Sequence, residues 1–188
     1  MKKIIMIILP MIVLSTPCKA QSDIDNLFSL DLAYAFTGIL NQGWGIGINY
    51  EKKLFDFLSI KGNLGHMTFS TGIKNVYNTS VSLSLFVNYY PLSSGLDKLY
   101  IGVGNGCDFM NYFGSGELPP DGQDTLVHIT PQLGWKFHVL HFLMIDVSTG
   151  YKFIVSDTQN YKQIKNYIYT GFRFGLGLNI LFSEILKK

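Results

Sequence analysis

Cysteine is nearly absent: only Cys18 and Cys107 occur in 188 residues, and no stretch of about twenty apolar residues is present. The second absence excludes a helical membrane span, which needs about that length to cross the hydrocarbon core. Charge is sparse as well, at 15% of residues, and glutamate is confined to Glu51, Glu117 and Glu184. No basic run is available to follow a phosphate backbone, which excludes nucleic acid as a partner. No Pro/Ser linker, low-complexity tract or charge block divides the chain.

The amino end carries Lys2 and Lys3, an apolar run from Ile4 to Leu14 broken by Pro10, and then Ser15-Thr16-Pro17-Cys18-Lys19-Ala20. This pattern predicts a secretory signal peptide over residues 1–20, cleaved after Ala20. Cys18 raises a lipoprotein alternative, but Pro17 and Ser15 stand where such sites want a small residue and Leu. Cleavage leaves one domain over residues 21–188, with twelve basic and thirteen acidic residues. Cys107 is then the only cysteine, so an exported chain has to fold without an internal disulfide.

What is present is alternation. From Phe172 to Phe182 every even residue is apolar, while Arg173, Gly175, Gly177 and Asn179 lie between them. Eleven residues in a strand tilted by about 45° match the apolar thickness of a bilayer. Seven earlier segments repeat the pattern. The first sets Phe28, Leu30, Leu32, Tyr34 and Phe36 against Ser29, Asp31, Ala33, Ala35 and Thr37; the second sets Trp44, Ile46, Ile48 and Tyr50 against Gly43, Gly45, Gly47 and Asn49. The others run over Leu58–Phe69, Val81–Tyr89, Leu99–Phe109, Val127–Phe137 and Leu143–Phe153. Eight strands predict an all-β, eight-stranded antiparallel up-and-down transmembrane barrel.

The expected short turns are Glu51–Phe57, Pro91–Lys98 and His138–His141, and the two longest polar stretches are Asn111–Asp124 and Ser156–Lys165. With both ends in the periplasm, the short turns are periplasmic and the long loops extracellular.

A soluble barrel that encloses a ligand also alternates, with its apolar face inward. The non-apolar face decides between the two. It is Gly, Ser, Ala, Thr and Asn with about one charge per strand, too few charges for a solvated exterior and well suited to a narrow lumen. The expected lumen charges are Asp31, Lys61, Asp108, Lys136, Asp146, Lys152 and Arg173. A base at the lipid midplane costs about 2–4 kcal/mol, so their common face is evidence of orientation. Aromatics at strand ends, namely Phe28, Phe36, Trp44, Tyr50, Tyr77, Tyr89, Trp135, Tyr151 and Phe182, form the expected girdle at the two interfaces.

The turn entry Asn88-Tyr89-Tyr90-Pro91, the strand Leu99-Tyr100-Ile101-Gly102-Val103-Gly104 and the terminal segment from Arg173 to Ile180 resemble those of the small eight-stranded outer-membrane barrel group, the OmpX, OmpW and OmpA-transmembrane-domain type. That resemblance implies an outer-membrane location and contact with its lipids. It also implies recognition by the barrel-assembly machinery through Arg173, Gly175, Leu178, Ile180 and Phe182. Members of the group typically end on an aromatic residue; here Phe182 takes that position and Ser183–Lys188 extends beyond it.

The chemistry-bearing residues do not assemble into a catalytic or metal motif. His66 with Ser70 and an acid such as Asp108 would be the elements of a lipid-modifying hydrolase. His128, His138 and His141 lack convergent spacing for a metal. Gly102, Gly104 and Gly106 lie within a strand and so do not make a phosphate loop. Pro131 removes a ladder donor from the sixth strand and marks a place for a bulge or lateral opening. The expectation is a non-enzymatic barrel without cofactor. Its lumen is plugged by paired charges and its loops serve structural or adhesive contacts with host or surface ligands; a conduit or binding site for small apolar molecules is the alternative.

Overall fold

The structure, a computed structural model, describes residues 24–40, 42–70, 76–92, 96–114, 123–140, 142–156 and 167–178. Eight strands close into one antiparallel barrel in sequence order: β1 Asn26–Asp31, β2 Trp44–Phe55, β3 Leu58–Ser70, β4 Val76–Tyr89, β5 Lys98–Gly114, β6 Gln123–His138, β7 Leu143–Ile154 and β8 Tyr167–Gly177. The expected signal peptide, Cys18, Glu117, His141, Glu184, Ile180, Phe182, the tail and most of both long loops lie outside the described residues.

The pleat sorts side chains as the alternation requires. In β6 the burial alternates without a break from Gln123 to Gly134, and in β4 Ser80, Ser82, Ser84, Phe86 and Asn88 are buried while Val81, Leu83, Leu85, Val87 and Tyr89 are exposed. The barrel is therefore polar within and apolar without, the reverse of a water-soluble protein. Such a wall suits hydrocarbon, because closure leaves a full ladder of backbone hydrogen bonds and the exposed side chains are aliphatic or aromatic. Among the described residues no helix is long and apolar enough to cross a membrane.

Four expectations require correction. First, strand one ends at Asp31. Leu32–Leu40 forms a helix, α1, and so Tyr34 and Phe36 are not strand residues. Leu32, Ala33 and Ala35 favour a helix, and both of its ends are capped. The Asp31 Oδ1 accepts the Ala33 amide at 3.1 Å, as an N-cap carboxylate does. At the other end the Gly43 amide donates to the Gly38 carbonyl (2.7 Å) and the Gln42 amide to that of Ile39 (3.1 Å), with Gln42 at φ 56°. That pair of bonds is a Schellman closure.

Second, the last strand is shifted. It spans eleven residues, but from Tyr167 to Gly177 and not from Phe172 to Phe182, with Leu178 beyond its end. Its pairing runs out there: Gly177 meets Leu27 near the start of β1, and Leu176 meets Leu143, the first residue of β7. Third, Glu51 is not in a turn. β2 continues to Phe55 with a register shift between Lys53 and Phe55, which leaves only Asp56 and Phe57 between the strands. Fourth, Pro131 makes no bulge. The β6–β7 ladder has the same register on both sides of it, from Ile129 opposite Phe153 to Gln132 opposite Gly150.

Helix α1 lies against β2 and β3, and glycines make room for it. A Cβ on Gly38 would collide with the Trp44 backbone, one on Gly45 with the Tyr34 carbonyl, and one on Gly47 or Gly65 with the Tyr34 ring. The small face of strand two is thus the seat of a helix.

Replacing Gly38 by Ala is expected to destabilise the barrel by about 1–3 kcal/mol through overpacking, although helix propensity alone favours Ala by about 1 kcal/mol. Gly62→Ala, where a Cβ meets nothing within 4 Å, is expected to be neutral or stabilising by up to about 1 kcal/mol. Urea unfolding from lipid vesicles measures both.

Candidate functional site

The lumen holds the chemistry. Apart from Asp97 and Asp124 at the two rims, its buried acids are Asp31, Glu51, Asp108 and Asp146, and its buried bases are Lys61, Lys136, Lys152 and Arg173. All seven charges assigned to the lumen from the sequence are buried, and Glu51 is the eighth. Its inclusion balances the set at four of each sign, which matters because an unpaired buried ion costs several kcal/mol.

These groups form three clusters. Nearest the short turns, the Glu51 carboxylate accepts from Lys136, Ser59 and Tyr90, and from Asn88 Nδ2 at 2.9 Å. Lys136 Nζ also donates to Tyr90 Oη at 2.6 Å and lies 5.2 and 5.1 Å from the Tyr90 and Tyr100 ring centroids. Lys61 extends this cluster toward the middle. It lies over the Phe86 and Tyr100 rings at 5.0 and 5.2 Å and donates to Gln132 Oε1 at 3.4 Å. Cation–π contacts of this kind strengthen when desolvated. Ile24, Leu27, Tyr90, Leu96, Tyr100 and Met144 pack as an apolar floor at the same end.

The second cluster centres on Arg173. Its Nε donates to Asp31 Oδ2 at 2.8 Å, and one terminal nitrogen donates to Asp146 Oδ2 at 3.1 Å and to Ser148 Oγ at 2.8 Å. Tyr100 Oη donates to the other Asp146 oxygen at 2.9 Å. The third cluster is nearer the long loops. Lys152 Nζ reaches both Asp108 oxygens at 2.9 and 3.1 Å, Ser82 donates to the same carboxylate, and His128 Nε2 lies 3.6 Å from it.

Between the Arg173 and Lys152 clusters lies a cavity of about 230 Å³. Tyr34 of α1 reaches into this region and donates to Asn63 Oδ1 at 3.1 Å; Asn63 in turn donates to Asn49 at 2.8 Å.

His66 stands on the opposite side of the wall from Asp108: it faces outward against Trp44, with ring centroids 4.7 Å apart, whereas Asp108 is buried in the lumen. His66 and Asp108 are therefore not brought together. His128 is in the lumen and His138 at an exposed strand end. Among the described residues no three His, Cys, Asp or Glu side chains group as a metal site. Of the aromatics expected at the interfaces, Trp44, Tyr50, Tyr89 and Tyr151 are exposed on the outer wall, Phe28 and Trp135 are half-buried, and Phe36 is exposed on the helix. The Tyr77 side chain lies outside the described residues. Arg173 and Gly175 of the terminal signal point inward within β8.

No protein-family model matches the chain, and no curated protein matches it. Among solved structures it is similar to the N-terminal β-barrel domain of Pseudomonas aeruginosa OprF (TM-score 0.49, 11% identity, 81% of this chain and 96% of that one). It is also similar to the attachment invasion locus protein Ail of Yersinia pestis, solved with the heparin analogue sucrose octasulfate (0.45, 12%, 81% and 96%). A third similar structure is Neisserial surface protein A (0.45, 11%, 81% and 94%). The closed eight-stranded architecture itself is given by the strand register of this chain.

Glu51→Leu is expected to cost about 3–5 kcal/mol, because Lys136 is left buried without its carboxylate. Adding Lys136→Met is expected to recover much of that loss. Denaturant unfolding of the single and double variants reads the difference.

Proposed function

We propose that the chain is an integral outer-membrane barrel with a plugged lumen, non-enzymatic, whose role is structural and surface-exposed. The observation that carries this reading is the inverted wall: exposed aliphatic and aromatic residues outside, and eight charges paired or ring-stacked inside. An eight-stranded barrel is just wide enough for side chains to fill it, and the apolar floor with the Glu51 cluster supports closure at the short-turn end.

In this reading residues 1–20 are a signal peptide and both ends of the mature chain are periplasmic. Arg173, Gly175, Leu178, Ile180 and Phe182 are read by the assembly machinery, and the outer aromatics sit at the two lipid interfaces. The Asn111–Asp124 and Ser156–Lys165 stretches then face outward for contact with surface or host ligands, as loops on a rigid scaffold commonly do.

Two measurements test this. The full mature chain, inserted in a planar lipid bilayer, is expected to give no sustained ion conductance; a steady open-pore current contradicts the plug. Deleting Gly114–Gly122 is expected to leave a folded, heat-modifiable barrel in the outer-membrane fraction while abolishing adhesion of the cells to surfaces. Unchanged adhesion contradicts the display role.

A further inference from the structure

The barrel seam is only partly zipped. β1 pairs with β8 from Leu27 opposite Gly177 to Asp31 opposite Arg173, and there the chain turns into α1. Residues Tyr167–Phe172 of β8 pair with β7 on one side, and among the described residues no strand pairs with their other side. Helix α1 stands across this gap, seated on β2 and β3 through Gly38, Gly45, Gly47 and Gly65. A free strand edge at membrane depth is tolerated only where it is covered by protein or lines a cavity.

Here it lines a cavity, the space of about 230 Å³ above Arg173. Its walls come from both sides of the barrel. Asp31, Lys152 and Arg173 belong to the lumen, whereas Ile168 and Thr170 are exposed residues of the outer face of β8. A single cavity touching both faces is open sideways, toward the lipid.

We infer that this lateral opening between α1 and the free edge of β8 is a binding site for a single-chain fatty carboxylate, its head in the lumen cavity and its tail in the bilayer. The inference rests on the membrane reading above and goes beyond its plugged lumen. The head is assigned by charge: two cations, Lys152 and Arg173, and one carboxylate, Asp31, line the cavity, which favours an anion. Asn63 and Thr37 add hydrogen-bonding capacity beside them. The tail is assigned by the rim, where Ile168 is 69% and Phe36 56% exposed on the outer surface. Size agrees: a cavity of about 150 Å³ holds benzene, so this one accepts a carboxyl group with its first few methylenes but not a whole acyl chain.

The test uses the full mature chain in phospholipid nanodiscs with labelled Met and Leu methyl groups. The probe is stearic acid carrying a nitroxide close to its carboxyl end. Leu64 faces the bilayer, Met67 lines the cavity and Met144 is buried in the floor. The nitroxide is expected to broaden Leu64 and Met67 and to leave Met144 sharp, and the methyl ester of the probe is expected to lose the effect on Met67 alone. Ala33→Trp, at the cavity wall, is expected to protect Met67 while Leu64 stays broadened; Thr37→Trp serves the same purpose where the first variant does not fold. Broadened Leu64 with Met67 as sharp as Met144 overturns the site and leaves the membrane reading standing. Sharp Leu64 overturns both. An equal effect from the ester, or no protection in either variant, overturns the assignment of the head to the cavity.

Discussion

Asp31 holds the two halves of this molecule together. Its two carboxylate oxygens do different work: one caps α1 at the Ala33 amide, and the other receives Arg173 Nε. Arg173 then carries the connection to Asp146 of β7. One ion triad therefore ties β1, β7 and β8 at the level where β1 stops, and fixes where the helix starts. A single bond at such a position matters because closing eight strands without a disulfide leaves the first and last strands as the only non-local contact that completes the ring.

Below that level the barrel is filled. The Glu51 cluster, the stacked Lys61 and Lys136, and the floor around Tyr90 and Tyr100 leave little room for water, and each ion there has either a carboxylate or a ring face. Above it the construction changes. A helix takes the place of a strand, a cavity opens beside it, and the ions become those of the Asp108–Lys152 pair. The short-turn half behaves as a stopper and the long-loop half as a vessel with a side opening, which is the arrangement from which both functional readings above grow.

The wall was legible in the sequence because a period of two leaves little freedom: one face of each strand has to meet lipid. Strands two to seven could be found that way, and so could the inward placement of Lys61, Asp108, Lys136, Asp146, Lys152 and Arg173. The helix was hidden by the same rule, since Leu32, Tyr34 and Phe36 alternate with Ala33, Ala35 and Thr37 as a strand would. Two local signals pointed the other way: an Asp ahead of a Leu-Ala helix former, and the glycines at 43, 45, 47 and 65, whose missing side chains leave space that Tyr34 fills. Glu51 was hidden differently. Beside Lys52 and Lys53 it reads as a charged turn, and only the far wall, where Lys136 and Tyr90 stand, draws it inside. The limit of the last strand depended on where β1 and β7 begin, which no pattern within Phe172–Phe182 carries.

The most direct test of the Asp31 pivot is a double-mutant cycle with Asp31→Asn and Arg173→Met, read by urea unfolding of the full mature chain from lipid vesicles. The account predicts a coupling of at least about 1.5 kcal/mol, as for close buried charge pairs. Single-variant losses that add to within about 0.5 kcal/mol would contradict it, and the seam would then have to be held by backbone pairing alone.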